Sequence, residues 1–397
     1  MRIHRQTSRL SFRDRTRRRN RSGCWSFAML LGVLAGGAVL LWNGFGGHLP
    51  FIPHVQDNDP LGAAARAFQQ GDLNSTVDNA RRALERNPDD AAALTLLARA
   101  LIYRSYSDYN HAADRDTALE LTTTALSRQP ANPDRRAIHA YALQAAGQPV
   151  EAAQIAESVL RDQPQNGLAR VARALAYGSV GNHDIALRES QKAAEQPEWG
   201  LESQRAIAIS YSDLGQYQKA IDAVERAIRY NRYLPVLYFE RALYALQMGD
   251  TDSATAAYFQ ILTYDPQNVK SRLRLCELSS LLRERDKAIT YCGDVTTRAP
   301  EWSDGWYQLG REYFLQGDFA AAQAALHRCS TLQVLQNVPV GERRFECWYL
   351  QGQSAEIMGD CPALIATYNE FRSMAADATV QETWVYPPEG PPGCAGK

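Results

Sequence analysis

The stretch SDGWYQLGREYFLQGDFAAA at residues 303–322 decides how this chain is read, because its Gly317 and Ala322 belong to series that run the length of the sequence. Alanines stand 34 residues apart at Ala118, Ala152, Ala186, Ala220, Ala254, Ala288 and Ala322, and Gly147, Gly181, Gly215 and Gly249 keep the same step. A fixed period of this length marks stacked helical hairpins, each unable to bury its apolar face alone. With the alanine at position 20 of a 34-residue unit, glycine falls at position 15, where a left-handed residue ends the first helix. The alanine methyl then faces the partner helix at closest approach, where a larger side chain would push the two apart. Proline at position 32, as Pro88, Pro130, Pro164, Pro266 and Pro300, blocks continuation of the second helix and separates units.

Trp306, Leu309, Gly310, Tyr313, Gly317 and Ala322 resemble the pattern of the tetratricopeptide repeats, W-x2-L-G-x2-Y followed by A-x3-F and P. The resemblance covers residues 57–378, about nine units, and implies an all-α fold: a right-handed superhelical solenoid of tetratricopeptide-like helix hairpins. The last unit keeps Trp348, Gly352, Gly359 and Tyr368 but has Leu364 in place of alanine, which suits a terminal unit. Two insertions of eight residues shift the register, one between Gly71 and Gly147 and one between Gly317 and Gly359. The unit over 269–302 carries Cys276 and Arg283 at its two glycine positions, so its first helix is expected to run on or turn differently.

The N-terminal part is of another kind. Residues 1–23 hold nine arginines against Asp14 and too few apolar residues for a core, which reads as a disordered basic cytoplasmic arm. The uncharged run WSFAMLLGVLAGGAVLLW over 25–42 is long enough to cross a bilayer, so 24–42 is expected to be a single transmembrane helix preceding the solenoid, with 43–56 as a linker. Arginines before the span place the N-terminus in the cytoplasm and the repeats outside it, as a single-pass membrane protein. Gly32 and Gly36 form a GxxxG pair through which two spans would touch, giving a homodimer.

The formal charge of −1 hides a split: without the arm the chain carries about −9, so the repeats have no general attraction for nucleic acid. No phosphate loop, zinc-protease helix, C-x-x-C or nucleophile elbow occurs, the seven histidines share no metal-site spacing, and the carboxylates fall on predicted solvent faces. With only residues 379–397, a Pro-rich tail, beyond the repeats, neither an enzyme nor a cofactor is expected. The aromatic residues of that tail favour docking on the last hairpin.

The resemblance implies instead a concave wall lined by positions 2, 5, 9 and 12 of each first helix. These positions include Arg99, Tyr141, Arg205, Phe239, Lys270, Tyr307, Arg311, Phe314 and Tyr349, a composition suited to gripping an extended peptide with some acidic character. The family's C-terminal-carboxylate clamp needs asparagine at position 9, and none stands there. The first insertion places three tyrosines in the polar segment YRSYSDYNH at 103–111, either as a binding loop or as rings covering the lengthened hairpin. Six cysteines crowd the last third, and the register sets Cys276 opposite Cys292, Cys329 beside Cys347, and Cys361 within reach of Cys394. Pairing in an oxidising compartment and packing as reduced thiols both fit. The expected function is a membrane-anchored interaction scaffold with protein or peptide partners; the alternative is a self-associating structural or sensory membrane protein.

Overall fold

Acidic and amide residues mark where the helices begin. Asp72, Asp250, Asp318 and Asp360 each accept a hydrogen bond from the backbone N–H three residues on, satisfying a donor that the first helical turn leaves open. The computed structural model describes residues 59–375, 378–387, 390–391 and 393–394, and all regular structure among them is helical. The helices pair as hairpins. Hairpin 1 joins α1 (Pro60–Gln69) to α2 (Leu73–Arg86), hairpin 2 α3 (Ala91–Ser107) to α4 (Asp114–Arg128), and hairpin 3 α5 (Pro133–Ala145) to α6 (Pro149–Asp162). Hairpin 4 joins α7 (Gly167–Ser179) to α8 (His183–Ala193), hairpin 5 α9 (Gly200–Asp213) to α10 (Tyr217–Tyr230), and hairpin 6 α11 (Pro235–Gln247) to α12 (Thr251–Tyr264). Hairpin 7 joins α13 (Val269–Leu281) to α14 (Arg285–Arg298), hairpin 8 α15 (Ser303–Gln316) to α16 (Phe319–Leu335), and hairpin 9 α17 (Glu346–Met358) to α18 (Cys361–Met374); a short α19 (Ala378–Gln381) follows.

The seven periodic alanines are each at most 1% exposed, as the close approach of paired helices requires, and Leu364 is fully buried at the corresponding place in hairpin 9. Gly215 ends α9 with φ 70°, and the Gly215 and Gln216 N–H groups bond back to Ser212 and Tyr211 carbonyls. Hairpin 7 departs from this less than its sequence suggests. Arg283 itself adopts φ 61°, and the N–H groups of Arg283 and Glu284 bond back to Ser280 and Ser279, so the turn is kept without glycine.

The expectation of a single-pass membrane protein is corrected. Among the described residues no helix is long and apolar enough to cross a membrane. The longest, α3 and α16, have 17 residues each, a span of about 26 Å at 1.5 Å per residue, against a hydrocarbon core of about 30 Å. The basic arm at 1–23, the apolar run at 24–42 with Gly32 and Gly36, and the linker at 43–56 lie outside the described residues.

Apolar burial is continuous from Ala64 in α1 to Tyr244 in α11, passing from each hairpin to the next. At the other end, Trp384 is 5% exposed and packs with Tyr349, Tyr368, Phe371 and Tyr386, so the tail covers the last hairpin. Gly352 makes this possible, because a Cβ there would run into the Trp384 ring. Bonded sulfur pairs join Cys276 to Cys292 across hairpin 7, Cys329 to Cys347 between hairpins 8 and 9, and Cys361 to Cys394 between α18 and the tail.

Contacts also leap across the array. Asn231 donates 2.7 Å to the Phe68 carbonyl, and a Cβ on Gly71 would collide with Tyr233, so hairpin 1 rests on the turn between hairpins 5 and 6.

Candidate ligand-binding groove

The eight-residue insertion in hairpin 2 lengthens a first helix. Among the other hairpins the first helices have 10 to 14 residues, whereas α3 runs for 17 and carries Tyr106 past the usual turn. The extra turn meets the first helices of hairpins 5 to 7. Tyr103 is completely buried, and its hydroxyl donates to Glu202 Oε1 at 3.3 Å. Arg99, one turn earlier, pairs with the same oxygen at 2.8 Å and lies over the rings of Phe68 and Trp199 at 4.8 and 5.2 Å. Arg205 pairs with Glu240 at 2.7 Å and lies over Tyr106 at 5.1 Å. Planar cations sandwiched between rings and carboxylates retain their charge where a lone buried charge would not.

Titration behaviour follows from this burial. Desolvation opposes the Arg99 charge, but Glu202 and the adjacent phenols outweigh it, and its pKa is raised. Tyr103 and Tyr141 are pushed up by burial and by Glu202, and both stay neutral phenols. Glu240 is raised by burial against the opposing pull of Arg205. Lys270 moves the other way: burial, helped by Arg274, brings its pKa down to about 8.

Five of the nine sequence-derived groove residues gather here. Tyr141 is 1% exposed beneath this polar layer and Arg99 projects from α3 itself, while Arg205 and Lys270 are met by α3 through Tyr103 and Tyr106, and Phe239 lies beneath the Lys270 ammonium. The other four lie in hairpins 8 and 9. Tyr307 sits under the Arg344 guanidinium at 4.5 Å, Arg311 leans 3.6 Å from Glu312 with 41% of its side chain exposed, Phe314 meets Phe319 edge-on, and Tyr349 meets Trp384 edge-on.

Beyond the covered band the groove is open. A cleft of about 470 Å³ lies between α11 and α13, with Phe239, Leu243, Leu246, Leu278 and Leu281 as its apolar wall and Glu240, Lys270 and Arg274 at its polar edge. Leu243 and Leu281 are 50% and 68% exposed, an arrangement suited to taking a bulky apolar side chain beside charged groups of both signs.

Sequence reasoning placed the carboxylates on solvent faces, and this is corrected for Glu202 and Glu312, which are at most 1% exposed. Glu312 accepts from Arg285 and from the Ser280 hydroxyl, both at 2.6 Å. Glu202 stands at position 2 of its unit, a lining position, so listing acids there beside the cations would have found it. Nothing in the periodicity signals Trp199 or Trp302, which sit in the links between hairpins.

Comparison with known proteins follows the repeat pattern. Two family models, both described as tetratricopeptide repeat, match residues 205–269 and 303–333. The BBSome complex member BBS4 of Bos taurus is 25% identical over 190 residues, which is 48% of this chain and 36% of that protein. Among solved structures, the APC/C hetero-tetramer Cut9-Hcn1 superposes with a TM-score of 0.52 at 16% identity, over 78% of this chain and 58% of that one. The chain thus spans about a third of the curated relative's length, and the structural likeness is one of fold.

Proposed function

We propose, proceeding from the chain's membership of the tetratricopeptide-repeat family, that it is a protein-interaction module holding an extended segment of a partner protein against the concave side of hairpins 5 to 9. The observation that carries this is the open apolar cleft between α11 and α13, with Lys270, Arg274, Glu240 and Glu277 at its charged edge. Large planar and aliphatic groups exposed in a concavity lose little entropy on ordering and gain much by burial, whereas the surrounding ion pairs set orientation. Arg99 and Arg205 support the wall from behind, since their guanidinium groups are already paired within the chain, and Tyr141 does so as a buried ring.

The test replaces Leu243 with a photoreactive residue and identifies what is cross-linked, with and without Leu281→Glu in the same chain. A partner captured in the parent and lost with Leu281→Glu, but retained with the distant Leu335→Glu, supports the cleft as its seat. Capture indifferent to Leu281→Glu removes the cleft from the interaction.

A further inference from the structure

The insertion in hairpin 2 ends in a tip that is held differently from its base. Residues 101–103 are fully buried, but from Asp108 to His111 no side chain is. Besides Arg205 and Arg115 over the Tyr106 ring and Asp114 beside His111, the tip is held by directed contacts from hairpins 7 and 8 and the residues leading into them. The Tyr106 carbonyl accepts from Lys270 Nζ at 2.7 Å, and the Ser107 carbonyl accepts from Asn268 Nδ2 at 3.0 Å. The Asp108 carboxylate accepts from the backbone N–H groups of Val269 and Lys270 at 3.2 and 2.9 Å, the first turn of α13. Tyr109 stacks on Trp302 with ring centres 4.6 Å apart, and its hydroxyl donates to Glu301.

These contacts read one short peptide: two main-chain carbonyls, an acid and a tyrosine, in order. Hydrogen bonds of this type specify a sequence strongly, yet each adds little net stability when water can replace it. A tip with little buried apolar area opens at a fraction of the cost of global unfolding. Its base does not open with it, because Arg104 is fixed to Asp114 at 2.6 Å and to Asn74 at 2.8 Å.

We propose that the entrances to α13 and α15 form a recognition site for an acidic residue followed by tyrosine, and that 106–109 is its built-in occupant, displaced by a partner segment of the same chemistry. The site adjoins the cleft between α11 and α13 through Lys270, so a displacing segment continues into that cleft; in this the inference rests on the binding role proposed above. The occupant acts as an internal competitor, and apparent affinity is lowered by the fraction of chains in which the tip is closed.

The test needs no natural partner. A fluorescent peptide YRSYSDYNH, the chain's own residues 103–111, is titrated against the full chain and against its Asp108→Ala, Tyr109→Ala double variant. The expected result is binding to the variant at least about tenfold tighter than to the parent, lost when the peptide's own acid is changed to alanine. Equal binding to both proteins, or none to a variant with parental helicity and Tm, overturns the proposal. Should the double variant lose its fold, hydrogen exchange on the parent decides: protection at 108–111 well below that of α13 is expected, and protection equal to it makes the tip a permanent part of the wall. Loss of peptide binding alongside retained cross-linking at Leu243 would separate this failure from failure of the cleft.

Discussion

Arg283 occupies a backbone conformation that seven of the other hairpin turns give to glycine. A side chain at φ 61° crowds its own carbonyl at a cost of about 1–2 kcal/mol, partly offset because glycine loses more chain entropy on folding. Arg283→Gly is therefore expected to stabilise the protein by about 1 kcal/mol, read as a higher denaturant midpoint at unchanged slope. Lys270 makes a pH prediction. Its pKa near 8 in the folded chain lies below the ordinary lysine value, so over that interval the unfolded chain binds more protons. The penalty for its buried charge is fully present below pH 8 and is relieved as pH rises. Arg274 and Arg115 push in this direction, and Asp108 and Glu240 oppose it. Between pH 8 and about 10, where tyrosines of the unfolded chain begin to ionise, stability of the parent should gain on that of Lys270→Met. Parallel stability curves for the two proteins would refute the assignment.

At the scale of elements, α3 differs from its fellows by one turn, and that turn changes what the concave face can do. Glu202 is the acid on which the turn depends, since Arg99 and Tyr103 both reach it. Glu202→Ala leaves a buried guanidinium without its carboxylate, and a loss of about 3–5 kcal/mol is expected, measurable by chemical denaturation. The tail has a comparable anchor: Trp384→Ala should expose Gly352 and the Tyr349 and Tyr368 rings and lower the stability of hairpin 9 by about 3 kcal/mol. Loss of protection confined to 346–374 in hydrogen exchange would confirm that the tail acts locally. The hairpins themselves were legible from Ala118 to Ala322, because a methyl lets paired helices approach closely and so recurs at the same place in seven successive units. The role of 103–111 was not, because an insertion announces extra length but not the direction in which it grows.

At the scale of the whole array, an open stack of repeats unfolds from its ends, each hairpin supported only by its neighbours. Here Asn231 ties hairpin 1 to the turn between hairpins 5 and 6, and Glu202 of hairpin 5 ties Arg99 and Tyr103 of hairpin 2, closing contacts over 163, 103 and 99 residues in sequence. Hairpins 1 and 2 should accordingly exchange their amide hydrogens together with hairpins 5 and 6 rather than as a frayed end, and Asn231→Ala with Glu202→Ala should uncouple them. Sulfur pairing concentrates in hairpins 7 to 9, so reduction should lower protection there and leave hairpins 3 and 4 unchanged. Periodicity alone determined the hairpins, their number and the alanine and glycine positions, since these depend on contacts between neighbours that repeat along the chain. Only the tertiary structure decided that much of the predicted wall is covered from within. That outcome depends on how small rotations between units accumulate until Tyr103, Tyr106 and Asp108 meet hairpins 5 to 7, a sum over many interfaces that no single repeat encodes.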